Sequence, residues 1–327
     1  MSLKEEEIRP RQVFDEYLKL AAEDVRRFFD GKERHDVACP ACGGNGETSF
    51  VKLGFEYQEC PACSTLFVSP RPSNEAFQQF YTKAESVKYW ATTFYKVTED
   101  ARREKIWVPK AAMIYDILAK EDALDHAIYD IGGGYGVFAQ EYERLYGVPV
   151  TVIEPGPLLA QVCRDKNIDV IQDFIENIPP KAFGVGPKVF VSFELFEHLP
   201  EPDIFGSHLG RLMSKGDYFI FTTLSSLGID IRLLWEQSDS VYPPHHLNFF
   251  NPHSVENFFL RHGLSVVRTA TPGKLDLDIL RRNQDKVTDN FWRIFLARAD
   301  DHTCSIMQAA IATAGWSSHM MVLVTKQ

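Results

Sequence analysis

Between Ala127 and Gly136 the chain passes from an apolar run into a glycine-rich turn: Ala127-Ile128-Tyr129-Asp130-Ile131-Gly132-Gly133-Gly134-Tyr135-Gly136. The run reads as a strand, and Val137–Tyr146 after it as a helix. A strand that enters a helix through such a turn belongs to parallel α/β architecture. The rest of the chain repeats the pattern. Val150–Ile153, Ile168–Ile171, Lys188–Ser192, Tyr218–Thr223 and Leu264–Arg268 read as strands. Pro157–Arg164, Ile204–Met213 and His253–His262 read as the helices between them, and Met320–Thr325 as a terminal apolar strand. This predicts a doubly wound, mostly parallel α/β sheet over residues 123–327, with a helical insertion at about 275–313.

The turn also limits the ligand. Glycine permits positive φ and lets a ligand approach the backbone. The spacing Gly132-x-Gly134-x-Gly136 is not the dinucleotide fingerprint, whose third glycine would fall at Val137. A plain tight turn would use glycines too. Three other features stand where an adenosyl cofactor needs them. Glu154, before Pro155, ends the next strand and can accept from both ribose hydroxyls. Asp173-Phe174 follows the third strand, where an acid and a backbone N–H can meet adenine. Phe193-Glu194-Leu195-Phe196-Glu197-His198-Leu199 runs from the fourth strand into the crevice.

These segments, from Asp130 to about Gly263, resemble class I S-adenosylmethionine-dependent methyltransferases. The resemblance implies that Asp130, Gly132, Gly133, Gly134, Gly136, Glu154, Pro155, Asp173, Phe174, Phe193 and Glu194 form the S-adenosyl-L-methionine site. It implies a Rossmann-like sheet of seven strands, the last antiparallel and inserted beside the fifth. The whole chain resembles a bacterial subgroup in which a zinc ribbon precedes the methyltransferase. Leu66-Phe67-Val68-Ser69-Pro70-Arg71-Pro72-Ser73, His246-Leu247-Asn248-Phe249-Phe250 and Thr271-Pro272-Gly273-Lys274-Leu275-Asp276 carry that likeness.

The ribbon also has its own support. Cys39, Cys42, Cys60 and Cys63 form C-x2-C…C-x2-C with 17 residues between the pairs. A two-residue gap lets one turn offer two thiolates to one ion, and four thiolates close a tetrahedral structural Zn2+ site with no open position for catalysis. Neither pair lies between a strand and a helix, as a thioredoxin-type pair would. Cys163 and Cys304 stand apart, and no other cluster has ligand spacing. The organisation read from the sequence is a helical segment at 1–36, the ribbon at 37–72, a helical linker or lid at 73–122, and the methyltransferase domain at 123–327. Residues 11–29 have amphipathic helical spacing, and Ser73 is a candidate N-cap for a helix from Asn74 to Thr82. Residues 84–120 read as helical with a break or kink near Pro109. Their aromatic residues Tyr89, Trp90, Phe94, Tyr95 and Trp107 suit packing or a lid.

Methyl transfer needs an acceptor nucleophile in line with the C–S bond, and it can also need a base. The segment Val241-Tyr242-Pro243-Pro244-His245-His246 follows the fifth strand and can reach the crevice. His246 is the candidate base or orienting group, with His245 and Tyr242 as alternatives. The same histidines could instead shape the pocket wall. The expected acceptor is a small molecule such as a nucleotide sugar, glycan precursor or lipid-linked metabolite. An RNA methyltransferase using its ribbon on RNA, or a non-catalytic binding module, are the alternatives. Net charge is −10 and the longest basic runs are pairs such as Arg102-Arg103, which weighs against nucleic acid. No apolar stretch approaches the length of a membrane span, and the N-terminus has no signal-peptide pattern, so a cytoplasmic protein without membrane insertion is expected.

Overall fold

The computed structural model describes residues 4–327. Among the described residues the chain builds two main sheets and a short antiparallel ladder, Arg34–His35 with Arg71–Pro72. The smaller begins with strands β1 (Glu47–Lys52), β2 (Phe55–Glu59) and β3 (Leu66–Val68), all antiparallel. Lys52 faces Phe55 across a two-residue turn, Leu53-Gly54, with φ of 48° and 75°. Positive φ at both turn residues matches the right-handed twist of a hairpin. β2 was not apparent in the sequence, because Phe55-Glu56-Tyr57-Gln58-Glu59 is rich in polar residues. Its alternate residues Phe55 and Tyr57 are fully buried.

The larger sheet contains β4 (Ala127–Ile131), β5 (Val150–Ile153), β6 (Val170–Ile171), β7 (Lys188–Phe193) and β8 (Tyr218–Leu224), which are parallel. β9 (Asn248–Phe249) leaves this domain and pairs antiparallel with β3, so it becomes the fourth strand of the smaller sheet. β10 (Ser265–Ala270) and β11 (His319–Thr325) complete the larger one. Its order is β10-β11-β8-β7-β4-β5-β6, with β11 antiparallel to both neighbours. This is the seven-stranded Rossmann-like order that the resemblance implies, with the last strand inserted beside the fifth core strand.

Alternation along the strands explains the layers. Tyr129, Ile131, Phe190, Phe219 and Phe221 face helices Pro202–Leu212 and Ser254–Arg261. Ile128, Val150, Val152, Val189 and Val191 face helices Val108–Lys120 and Val137–Tyr146. β6 is shorter than the sequence reading. Ile168 and Asp169 are spent on the turn after helix Pro157–Asp165, and Ile168 is buried there beneath the glycine turn.

Helix Arg11–Phe29 has the bounds its spacing predicts and buries Val25, Phe28 and Phe29 against Phe55, Phe77 and Phe80. Ser73 caps the next helix by accepting from Ala76 N–H at 3.4 Å. The expected break at Pro109 is absent. The chain stays helical through wide π turns at Trp90–Phe94 and Arg103–Trp107, and Pro109 falls in the first turn of Val108–Lys120. Having no N–H, Pro109 leaves a helical carbonyl without its usual donor, and the π turn directly before it is the kind of local irregularity found at such positions. The insertion forms three helices, Asp276–Arg282, Asn290–Arg298 and Asp301–Thr313, around a small core that includes Leu234 of helix Ile229–Leu234. Among the described residues no helix is long and apolar enough to cross a membrane.

Candidate cofactor and acceptor site

Strand order reverses between β4 and β7, and the glycine turn leaves β4 at that point, where open α/β sheets bind ligands. Gly132, Gly134 and Gly136 have φ of 70°, 56° and 66°. Gly133 is needed for space: a Cβ there would stand 2.6 Å from Asp130 Oδ2 and 3.0 Å from Val152 Cγ1. At Gly136 a Cβ would meet Ile168 Cδ1 at 2.5 Å.

Asp130 is 1% exposed and neither carboxylate oxygen has a hydrogen-bond partner. Burial, reinforced by the Glu154 charge and only partly offset by Lys110, pushes its pKa up to about 7. A partnerless buried carboxylate at this turn suits a ligand that brings positive charge. Glu154 is also buried. It accepts from Gly134 N–H at 3.1 Å and Gly156 N–H at 2.7 Å, and burial outweighs both bonds to raise its pKa. Each oxygen keeps a second lone pair, so ribose hydroxyls can still be accommodated. Pro155 is half-buried in the same turn.

The adenine-side pair differs from its sequence reading in one respect. Asp173 Oδ1 accepts from Phe174 N–H at 2.8 Å and from Asn177 at 2.7 Å. The N–H expected to face the adenine ring is therefore turned to the neighbouring carboxylate. Phe174 itself presents an exposed ring, 53% accessible, beside that turn.

Phe193 ends β7 and packs on Trp107 and Phe138. Glu194 follows with φ of 52°. Its Oε1 accepts from Lys110 Nζ at 3.0 Å, Thr222 Oγ1 at 2.7 Å and His319 Nε2 at 3.0 Å. Burial alone would raise its pKa; Lys110 and His319 outweigh it and hold the carboxylate well below its usual range. Sequence reasoning missed Lys110, Thr222 and His319. Lys110 carried a signal: it lies four residues before Ile114 and seven before Ile117, on the buried face of its helix.

The histidines converge. His198 stands 4.9 Å from His246 and 6.1 Å from His245, ring centre to ring centre. His245 is wrapped by Tyr17, Phe80 and Tyr81, and its Nε2 is buried without a partner. Burial pushes its pKa down to about 3 and that of His198 to about 4. His246 Nδ1 lies 2.7 Å from the Ser240 carbonyl, which places the ring proton on Nδ1 and leaves a lone pair on Nε2. Burial and the two other histidines hold His246 well below the usual imidazole range. Tyr242 is not brought into this group, since its hydroxyl donates to the Leu18 carbonyl at 2.7 Å. Glu197, on the floor of the cluster, accepts from Thr223 at 2.7 Å, and burial and then Glu194 push its pKa up to about 8.

The ribbon holds this loop in place. Tyr57 of β2 donates to the His246 carbonyl at 2.8 Å. Arg71, 1% exposed, donates to the carbonyls of Val68 at 2.8 Å and Pro200 at 2.6 Å, and to the Asn248 side chain. The four cysteines come together as their spacing predicts, with sulfur contacts of 3.6 Å for Cys39–Cys63, 3.5 Å for Cys42–Cys60 and 3.7 Å for Cys42–Cys63. A tetrahedral ion with Zn–S bonds of about 2.3 Å needs sulfurs about 3.8 Å apart, so the set fits zinc.

Residues 108–269, just under half of the chain, match the family model described as a methyltransferase domain. No curated protein matches the sequence. Solved structures with a similar fold include an O-methyltransferase of a trans-AT polyketide synthase multienzyme from Brevibacillus brevis, in complex with S-adenosyl-L-homocysteine. It is 12% identical at a TM-score of 0.45, covering 71% of this chain and 76% of that one. Magnesium protoporphyrin IX methyltransferase from Synechocystis PCC 6803, with bound S-adenosylhomocysteine, is 11% identical at a TM-score of 0.45, covering 73% and 97%. At these identities the likenesses say nothing about the acceptor.

Proposed function

Taking as premise that the chain is an S-adenosylmethionine-dependent methyltransferase, we propose that it methylates a small molecule held between the glycine turn and the histidine cluster. The observation that carries this reading is the buried, partnerless Asp130 beneath a glycine turn already gripped by Glu154, on a matched methyltransferase domain. When bound, S-adenosylmethionine supplies a methyl group on a sulfonium, already activated for displacement. Gly132 to Gly136 and Asp130 would hold its amino-acid end, Glu154 its ribose, and Asp173 and Phe174 its base. Glu194, pinned by Lys110, Thr222 and His319, closes the crevice beside Phe193.

On the acceptor side His246 Nε2 is the proton acceptor. Its lone pair is oriented by the Ser240 contact, and its backbone is fixed by Tyr57. His245 and His198 form the wall around it. Nucleotide sugars, glycan precursors and lipid-linked metabolites fit the chemistry equally. The four cysteines would hold a structural Zn2+, and the sheet shared by β3 and β9 supports a ribbon that braces the acceptor loop rather than an RNA-binding arm.

Methyl-labelled S-adenosylmethionine incubated with the enzyme and a cell extract tests this. Label is expected in the small-molecule fraction, and His246→Gln should reduce transfer by about 100-fold or more, the usual scale of acid–base catalysis. Label found in RNA, or full transfer by the variant, would overturn the reading.

A further inference from the structure

Glu197, His198 and His246 form a second constellation with metal-binding geometry. Glu197 and His198 sit in the turn Phe196–His198 after β7, and His246 arrives from the loop before β9. One carboxylate oxygen and one ring nitrogen from each histidine lie within 4.8 Å of one another. We infer that these three side chains are a binding site for a borderline divalent ion such as Zn(II), Co(II) or Ni(II), separate from the cysteine ribbon.

The donor set selects the ion. Two imidazoles with one carboxylate favour late first-row metals, whereas magnesium and calcium prefer all-oxygen sites. Bonds of about 2.0–2.2 Å place neighbouring donors about 3–3.5 Å apart, so closure needs side-chain adjustments of about an ångström. The supporting contacts are already made. A ligating histidine commonly donates its other ring N–H to a carbonyl, and His246 Nδ1 does so to Ser240 at 2.7 Å. A ligating carboxylate is commonly hydrogen-bonded in turn, and Glu197 accepts from Thr223 Oγ1 at 2.7 Å. The backbone ties the two segments together, since Leu247 N–H donates to the Glu197 carbonyl at 2.8 Å. Three protein ligands leave coordination positions for water or an acceptor oxygen.

The consequence rests on His246 as proton acceptor. An ion on Nε2 occupies the lone pair that would take the proton, so metal binding and base action exclude one another. The site is then a metal-sensitive switch on the acceptor side of the pocket.

Co(II) is the probe. The full chain, with its ribbon filled by zinc and stripped of loosely held metal, is titrated with Co(II) and followed by visible absorption. The expected result is one further equivalent with weak d–d bands and no thiolate charge-transfer band. Affinity should fall about tenfold or more in Glu197→Gln and in His198→Gln, both checked for unchanged thermal unfolding in the absence of cobalt. No further equivalent, a spectrum dominated by thiolate charge transfer, or binding unchanged in both folded variants would overturn the inference. The assay reads metal alone, so a negative result leaves the base role of His246 standing. That role stands or falls on the labelled-transfer experiment.

Discussion

Replacing Asp130 by asparagine should stabilise the cofactor-free protein while weakening its cofactor site. Asp130 is buried with no donor on either oxygen, and its pKa is pushed from 3.8 up to about 7. Folded protein therefore retains a proton there that the unfolded chain releases above about pH 4. Because the folded pKa is the higher one, the contribution is fully present below pH 4 and is lost as pH rises towards 7. A shift of about 3 units at about 1.4 kcal/mol each amounts to roughly 4 kcal/mol across that window. Asparagine cannot ionise, so it removes this pH-dependent loss. Its own amide is left without partners, which returns about 1–3 kcal/mol of the gain at all pH values. The assay is urea unfolding of the zinc-loaded, cofactor-free enzyme and of Asp130→Asn at half-unit steps from pH 4.5 to 8. The stability of the variant relative to the natural protein should climb by about 2 kcal/mol between pH 5 and 7 and level off above. Calorimetry with S-adenosylhomocysteine near pH 6 should show proton release on binding, through its dependence on buffer ionisation heat, and the variant should lose it. A stability difference flat across the range would refute the reasoning, because Asp130 would then be solvated or paired.

Two further outcomes follow from the packing. Gly133→Ala places a Cβ 2.6 Å from Asp130 Oδ2, so it should destabilise by about 1–3 kcal/mol in thermal unfolding and weaken S-adenosylhomocysteine binding; unchanged affinity would show the turn has slack. Metal analysis should find one zinc per chain, Cys60→Ser should lose it, and limited proteolysis should then open the chain between Pro243 and Asn248, because β9 loses its partner strand. Continued protection of that loop would separate it from the ribbon.

The core sheet was legible because its signals are local. Buried parallel strands read as apolar runs, and the turn at Gly132 to Gly136 announces its own positive φ. Helix Val137–Tyr146 was readable to the residue. The cysteine set was legible from spacing alone. What escaped was non-local. Asn248-Phe249 has no strand pattern of its own and becomes one only because β3 offers an unpaired edge. Glu197, His198 and His246 lie on two loops after different strands, so no spacing rule could join them. Tyr242 pointed away for the same reason: the Leu18 carbonyl that claims its hydroxyl belongs to a helix far earlier in the chain. The partners of Glu194 likewise come from a helix, β8 and β11.

Calorimetric titration of the zinc-loaded full chain with S-adenosylhomocysteine tests the central claim most directly. One site per chain is expected, with affinity falling about tenfold or more in Glu154→Ala, about 1.4 kcal/mol or more of lost hydrogen bonding. Absence of binding by the folded protein, or an affinity untouched by Glu154→Ala, would contradict the assignment of the glycine turn and Glu154 to the methyl donor.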